Sequence, residues 1–246
     1  MMAVAPDAVA EAQRMVRQAK AVVLDFDGPI CALFGRHHAP GVAQRLCREL
    51  ERRGCLPAEL VDCQDPHQVL RELRLRLLAK GWTPARAIAE EDRIAASLTS
   101  EEVTAAGTAP PTHLAAELIR TLAARGTGLA VVSNNSKEAV DRHLREHGLL
   151  DVFSGPVIGR PKDPRRIKPD PGELLRAVDQ LGLSGEPRPA VLIGDSAADF
   201  LAARRAGTGF VGFRCSEASA TALSSCGAGV AVDSLEPLLL GVTPRR

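Results

Sequence analysis

Two short stretches concentrate carboxylates in a way few structural roles require. In Asp25-Phe26-Asp27-Gly28 the acids stand two residues apart, and on extended chain residues i and i+2 point to the same side. Such a pair repels itself and resists burial unless a cation or substrate compensates. It suits a hard cation such as Mg²⁺, which takes oxygen ligands, and it sets a nucleophile beside a general acid/base. A surface turn is the structural alternative. In Gly194-Asp195-Ser196-Ala197-Ala198-Asp199 two more acids lie one helical turn apart, on one side. There the alternatives are a helix cap for Asp195 and a solvated helix face for Asp199. Ser133-Asn134-Asn135 brings a hydroxyl, an amide and backbone N–H groups to a helix start, an anion site. The same residue types are favoured as helix N-caps. In Lys168-Pro169-Asp170-Pro171, Pro169 restricts Lys168 to extended backbone and Pro171 suits a first helical turn. An ammonium is then held at a helix mouth where a phosphate can meet it, although an ordinary loop lysine would read the same.

These four motifs need a scaffold that brings them together. Ala21-Val22-Val23-Leu24 is a short, unbroken apolar run ending in the first acid pair. With no polar alternation it reads as a buried parallel strand. Similar runs cover 129–132, 190–193 and 209–213, with a further one at 230–232. Helical patterns lie at 5–19, 111–125, 136–147, 171–182 and 196–206, with Thr108 or Thr112 available to cap the second of these. Alternating strands and helices predict βαβ units, hence a parallel sheet covered on both faces. Ligands in such sheets bind outside the carboxyl ends of the strands, where these motifs fall. One stretch breaks the alternation. Residues 31–106 show helices at 41–53, 66–80, 84–97 and 100–106 and no strand. Leu70, Leu73, Leu77 and Leu78 share one helix face there, the signature of packing.

Composition excludes several classes. Across 246 residues, 45% are hydrophobic and 25% charged, too apolar for a disordered chain. The 31 basic and 30 acidic residues give a net charge of +1, and aromatics are 3%. Neither a basic surface nor stacking platforms are supplied, so no nucleic-acid partner is expected. No apolar run reaches the roughly 20 residues that span a bilayer, and charges interrupt any leader core at the N-terminus, so the expectation is a cytoplasmic protein with no membrane role. Six cysteines without a Cys-x-x-Cys pair read as free thiols. Cys55, Cys63 and His67 fit no usual zinc spacing.

Taken in order, acid pair, hydroxyl, lysine, acid pair, the motifs resemble the haloacid dehalogenase-like superfamily of phosphohydrolases, its phosphoglycolate phosphatase and β-phosphoglucomutase group in particular. The resemblance runs from about residue 20 to 240 and implies an α/β fold: a Rossmann-like parallel sheet core (1–30 and 107–246) with a small α-helical cap (31–106) inserted after the first strand. It implies an Mg²⁺-dependent phosphatase acting on a small phosphorylated metabolite, as a monomer or homodimer. Asp25 would be the nucleophile that forms an aspartyl-phosphate, and Asp27 the acid and base. The Asp25 carboxylate, the Asp27 backbone carbonyl and Asp195 would hold Mg²⁺, with Asp199 on a metal-bound water or on Lys168. Ser133, the Asn134 N–H and Lys168 would neutralise the phosphoryl oxygens. A phosphomutase and a non-catalytic phosphometabolite-binding protein are the alternatives. Dehalogenases of the superfamily lack the second acid, so Asp27 favours phosphate esters. A phosphonatase would need a cap lysine, and Lys80, before Gly81, reads as a helix end. Within the cap, Arg36, His37 and His38 are placed to meet a substrate carboxylate or second phosphate, or to form a solvated loop. Pro29-Ile30 departs from the family's usual Thr-Leu and would stiffen the hinge into the cap. The basic loop 159–166 would attract anions or lie solvated.

Overall fold

The computed structural model describes residues 4–34, 39–185 and 189–243. Strands β1 (Ala21–Leu24), β2 (Gly128–Val132), β3 (Val157–Ile158), β4 (Ala190–Gly194), β5 (Gly209–Phe213) and β6 (Ala231–Val232) form one sheet in the order β3-β2-β1-β4-β5-β6. Every pairing is parallel. β1 sits at the centre, with Leu24 level with Val131 on one side and Ile193 on the other. The chain winds outward from β1 in both directions, so a crevice opens at the carboxyl ends of β1 and β4.

The helices are α1 (Pro6–Gln18), α2 (Ala39–Arg52), α3 (Pro66–Ala79), α4 (Pro84–Ala106) and α5 (Ala115–Ala124). They continue with α6 (Lys137–Glu146), α7 (Gly172–Gln180), α8 (Ala197–Ala206), α9 (Glu217–Ser225) and α10 (Glu236–Val242). Alternate strand residues face opposite ways, and two buried clusters result. Val22, Leu24, Val131 and Ile193 pack with α1, α5, α6 and α10, while Val23, Val132 and Leu192 pack with α7, α8 and α9. A third cluster, including Leu46, Leu50, Leu70, Leu73, Leu77, Ile94 and Leu98, is enclosed by α2, α3 and α4. Leu78 only borders it. The ion pairs Arg53–Glu90 and Arg74–Glu91 accompany two buried carboxylates of this block.

Two local expectations need correction. The helices expected at 84–97 and 100–106 are one 23-residue helix, α4. The Ser97-Leu98-Thr99-Ser100 stretch is weak in helix propensity, and burial of Leu98 overrides it. Neither Thr108 nor Thr112 caps α5, whose N-cap is Leu114 at φ 64°. The Thr112 hydroxyl donates instead to the Gly28 carbonyl, which ties the entry of α5 to the first motif. β3, α9 and α10 are not legible in the sequence; α10, although apolar, is only seven residues long. β3 has two residues, and α9 buries only Ser219, Ala220 and Leu223.

Candidate active site

Asp25 continues β1, its N–H donating to the Ile193 carbonyl at 2.9 Å. The Asp25 carboxylate oxygen Oδ1 accepts from the Phe26 N–H at 2.7 Å and lies 2.8 Å from Lys168 Nζ. Asp27 turns its Oδ1 to the Leu33 N–H at 2.8 Å, closing the loop that leads away from β1. Between them and the β4 end stands Gly28, at φ 94°. A Cβ there would sit 2.7 Å from Asp195 Cγ. Only glycine lets the two acidic loops approach so closely.

After β4, Ser196 rather than Asp195 caps α8. Asp199 completes the capping box, with Oδ2 accepting from the Ser196 N–H at 3.1 Å and hydroxyl at 2.6 Å. Its other oxygen lies 2.6 Å from Lys168 Nζ. Asp199 is fully buried, so it is no solvated helix face. Lys168 Nζ also donates to the Val132 carbonyl at 2.7 Å. The ammonium is thus enclosed by oxygens from the ends of β1 and β2 and from the first turn of α8. The Lys168 backbone is locked by Asn134, whose Oδ1 accepts from the Lys168 N–H at 2.9 Å and whose Nδ2 donates to its carbonyl at 3.1 Å. Ser133 and Asn134 do not cap α6; Ser136 does. They lie in the loop after β2, with Ser133 Oγ bonded to Asn135 in both directions at 3.1 Å.

The electrostatics reflect burial of many acids around one cation. Burial lifts the Asp25 carboxyl to about 7; Asp199 adds to the rise and Lys168 opposes it. Burial lifts Asp27 to about 6, against the Leu33 N–H and the nearby His67. Asp195 is raised well above its usual range by burial and then by Asp199, Asp25 and Asp27. Burial works against the Lys168 charge, yet Asp199 and Asp25 outweigh it and raise the ammonium's pKa. Oxygens of Asp25, Asp195 and Asp199 lie within 4.8 Å of one another, the one such cluster among the described residues. Asp199 already spends both oxygens on Lys168 and Ser196, so capacity for a cation rests with Asp25 and Asp195. A hard divalent cation fits this oxygen-only donor set and would relieve the mutual repulsion. Beside the acids opens a cavity of about 440 Å³, lined in part by Asp27, Asp195, Phe34, Phe213 and Cys215.

The structure thus brings Asp25, Lys168 and Asp199 into direct contact, gathers Asp25, Asp195 and Asp199 into one acidic cluster, and locks Asn134 to Lys168. Asp27 opens on the cavity beside them, and Ser133 heads the same loop. Arg36, His37 and His38 lie outside the described residues. Lys80 donates to the Leu56 carbonyl at the end of α3, as a helix-end residue would. The loop 159–166 is not uniformly solvated: Arg160 is buried against Glu102, at 2.6 Å. His67, dismissed with Cys55 and Cys63 as a metal ligand, faces Glu102 at 3.4 Å. Glu102 and Arg160 carry no sequence signal, being an ordinary acid in a helix and an arginine in a basic loop. The thiol of Cys215 lies 3.4 Å from Asp195 Oδ2, a contact that spans 20 residues and had no local cue.

A family profile for haloacid dehalogenase-like hydrolases matches residues 19–207. A phosphoglycolate phosphatase of Neisseria meningitidis is 29% identical over 223 residues, 85% of this chain and 86% of that one. A phosphoglycolate phosphatase of Psychrobacter arcticus is 39% identical over 88 residues, 36% of each chain. Four curated relatives, named as pyrophosphatases or phosphoglycolate phosphatases, are matched over less than half of their own length. Among solved structures, a phosphonoacetaldehyde hydrolase-like protein of Oleispira antarctica superposes with a TM-score of 0.64 at 16% identity, covering 92% of both chains. At that identity the likeness is one of fold. No helix among the described residues is long and apolar enough to cross a membrane.

Proposed function

The chain belongs to the haloacid dehalogenase-like hydrolase family, and from that premise we propose that it hydrolyses the phosphate monoester of a small metabolite through an aspartyl-phosphate on Asp25. The observation that carries this reading is the buried Asp25–Lys168–Asp199 contact at the carboxyl ends of the central strands. A lysine so placed orients one carboxylate and brings a positive charge to the point where an anion must arrive.

Asp25 Oδ1 is committed to Phe26 and Lys168, which leaves Oδ2 to form the bond to phosphorus. As that bond forms, the ester P–O bond breaks. Asp27 gives its proton to the leaving oxygen, and a carboxyl raised to about 6 is suited to carry one near neutral pH. The ionised Asp27 then takes a proton from water, whose oxygen attacks the aspartyl-phosphate. Inorganic phosphate leaves, Asp25 returns as carboxylate and Asp27 as acid. Ser133 Oγ, the Asn134 N–H and the Lys168 charge stabilise the transferring group. Lys168 already faces Asp25, Asp199 and the Val132 carbonyl, so it acts on the phosphoryl group by its charge. Asp199 positions Lys168. The residues fit Mg²⁺, held by the Asp25 and Asp195 carboxylates and the Asp27 carbonyl, and bound there the ion would neutralise developing charge. The block 31–106 serves as a cap that shields the site. The named relatives support a phosphoglycolate-like or pyrophosphate substrate class. Six free cysteines suit a reducing compartment.

The test is phosphate release from a panel of phosphorylated metabolites and p-nitrophenyl phosphate, with and without Mg²⁺. Release should require the metal and disappear in Asp25→Asn, which is nearly isosteric, while the circular dichroism spectrum stays unchanged. Turnover retained by that variant would sink the covalent assignment.

A further inference from the structure

Glu102 lies near the C-terminal end of α4, outside all four strand-end motifs, and has no exposed surface. A carboxylate at that depth is costly unless its oxygens are bonded, and the partners it has come from three separate segments. Oε2 accepts from the Ser136 N–H at 2.9 Å. Oε1 accepts from Arg160 Nη1 at 2.6 Å and from Asn135 Nδ2 at 3.3 Å. His67, in the first turn of α3, places Nε2 3.4 Å from the same oxygen. That nitrogen is buried without an aligned hydrogen bond.

The core side of this contact continues into the site. Asn135 holds Ser133 Oγ through its backbone N–H and its side-chain oxygen. Arg160 donates onward to the Asn134 carbonyl at 3.2 Å and to Thr99 of α4 at 2.9 Å. One chain of polar contacts therefore leads from α3, through Glu102 and Asn135, to the hydroxyl assigned to the phosphoryl group.

We propose that Glu102 is a positioning residue that couples the seating of α3 to the shape of the loop 133–136. The meaning of that loop for catalysis rests on the phosphatase reading above. Glu102 itself is anchored to the core, because the end of α4 packs on the sheet cluster through Ala105 and Ala106. α3 belongs to the separate cluster of the helical block. His67 is thus the one of these partners supplied by that block's own packing unit. When it faces Glu102, the imidazole edge joins Arg160 and Asn135 beside Oε1. When it departs, those two must rebalance around a less neutralised carboxylate, and Asn135 carries the change to Ser133. Two elements from different packing clusters are thereby tied to one carboxylate.

The experiment combines amide hydrogen exchange over 133–136 with steady-state hydrolysis of p-nitrophenyl phosphate in Glu102→Gln, His67→Ala and the double variant. Glu102→Gln should quicken exchange in the loop at least tenfold and lower kcat at least tenfold, with KM within threefold. His67→Ala should quicken exchange in the same loop, although it stands on another helix. The double variant should be no worse than the poorer single one. Glu102→Asp, which restores the charge, should recover part of kcat. Loop exchange unchanged in His67→Ala, or effects that multiply in the double variant, would overturn the coupling. Should Glu102→Gln fail to fold, exchange in His67→Ala still decides. A wild-type chain without turnover would sink the phosphatase reading alone, because the exchange measurements need no substrate.

Discussion

At the scale of single residues, Lys168 shows how a side chain with a bland sequence context becomes the centre of a site. Nothing around it but two prolines marks it as special, yet it is buried between Asp25 and Asp199 and capped by the Val132 carbonyl. Lys168→Ala removes the only cation that touches both acids among the described residues. The rate should fall about 10²–10³-fold, the loss typical of one charge-stabilising donor. Stability should fall as well, by roughly 3–5 kcal/mol, since two buried carboxylates lose their partner. Steady-state kinetics and urea unfolding of one preparation check both. A rate within threefold of wild type would remove Lys168 from the chemistry. The acids, the lysine and the serine were legible because strand ends in a parallel sheet converge, so short motifs far apart in sequence become neighbours. Glu102, His67 and Arg160 were not legible. Their roles depend on helix-to-loop contacts, such as the 58-residue separation of Arg160 from Glu102, that no local pattern encodes.

At the scale of elements, the strands were readable because β1, β2, β4 and β5 are buried on both faces and so appear as unbroken apolar runs. Of the edges, β6 showed as the run at 230–232, whereas β3, with only two residues, did not. α4 was split by its Ser/Thr-rich middle, although its length is what lets one helix serve two clusters. Residues up to Leu98 pack inside the helical block, and Ala105 and Ala106 pack on the sheet. Its far end is fastened to α6 by Arg142, which donates to the Val103 carbonyl at 3.0 Å. Leu98→Ala should therefore loosen the block more than the core. The substitution leaves a cavity costing about 2–5 kcal/mol. Amide exchange in α2 and α3 should rise by the matching factor while β1, β2 and β4 keep their protection, because the block can open as a unit. Equal acceleration in the strands would mean that the helical block and the sheet unfold together.

At the scale of the whole molecule, net charge of +1 leaves little global repulsion, so pH dependence falls to a few buried groups of opposite sign. Glu102 is held at about 2: burial opposes its charge, but His67 and Arg160 outweigh it. His143 is held at about 4 by burial and by His147. Both groups bind protons more weakly when folded than when unfolded. Each therefore adds stability above its unfolded pKa and loses it on acidification, Glu102 from about 4.5 downward and His143 from about 6.5. The acidic site works the other way. Asp25 near 7, Asp27 near 6 and the raised Asp195 hold protons in the fold that the unfolded chain releases near 4. They cost stability as pH rises from about 4 through 7. Above pH 6.5, beyond the range of His143, the raised acids are the groups among these that still titrate. In a chelator, the melting temperature should therefore fall between pH 6.5 and 8. Mg²⁺ binds the ionised carboxylates and should reverse that fall. At a hundred times its Kd it contributes about 2.7 kcal/mol, roughly 5–10 °C for a chain of this length, and the gain should be larger at pH 8 than at pH 6.5. Asp195→Asn should lose most of the gain and also melt higher than the metal-free wild type at pH 8, because it removes one charge from the cluster. A melting temperature that is indifferent to Mg²⁺ at pH 8 would show that the acids tolerate one another without a cation. The metal assignment would then fail, whatever the enzyme's activity.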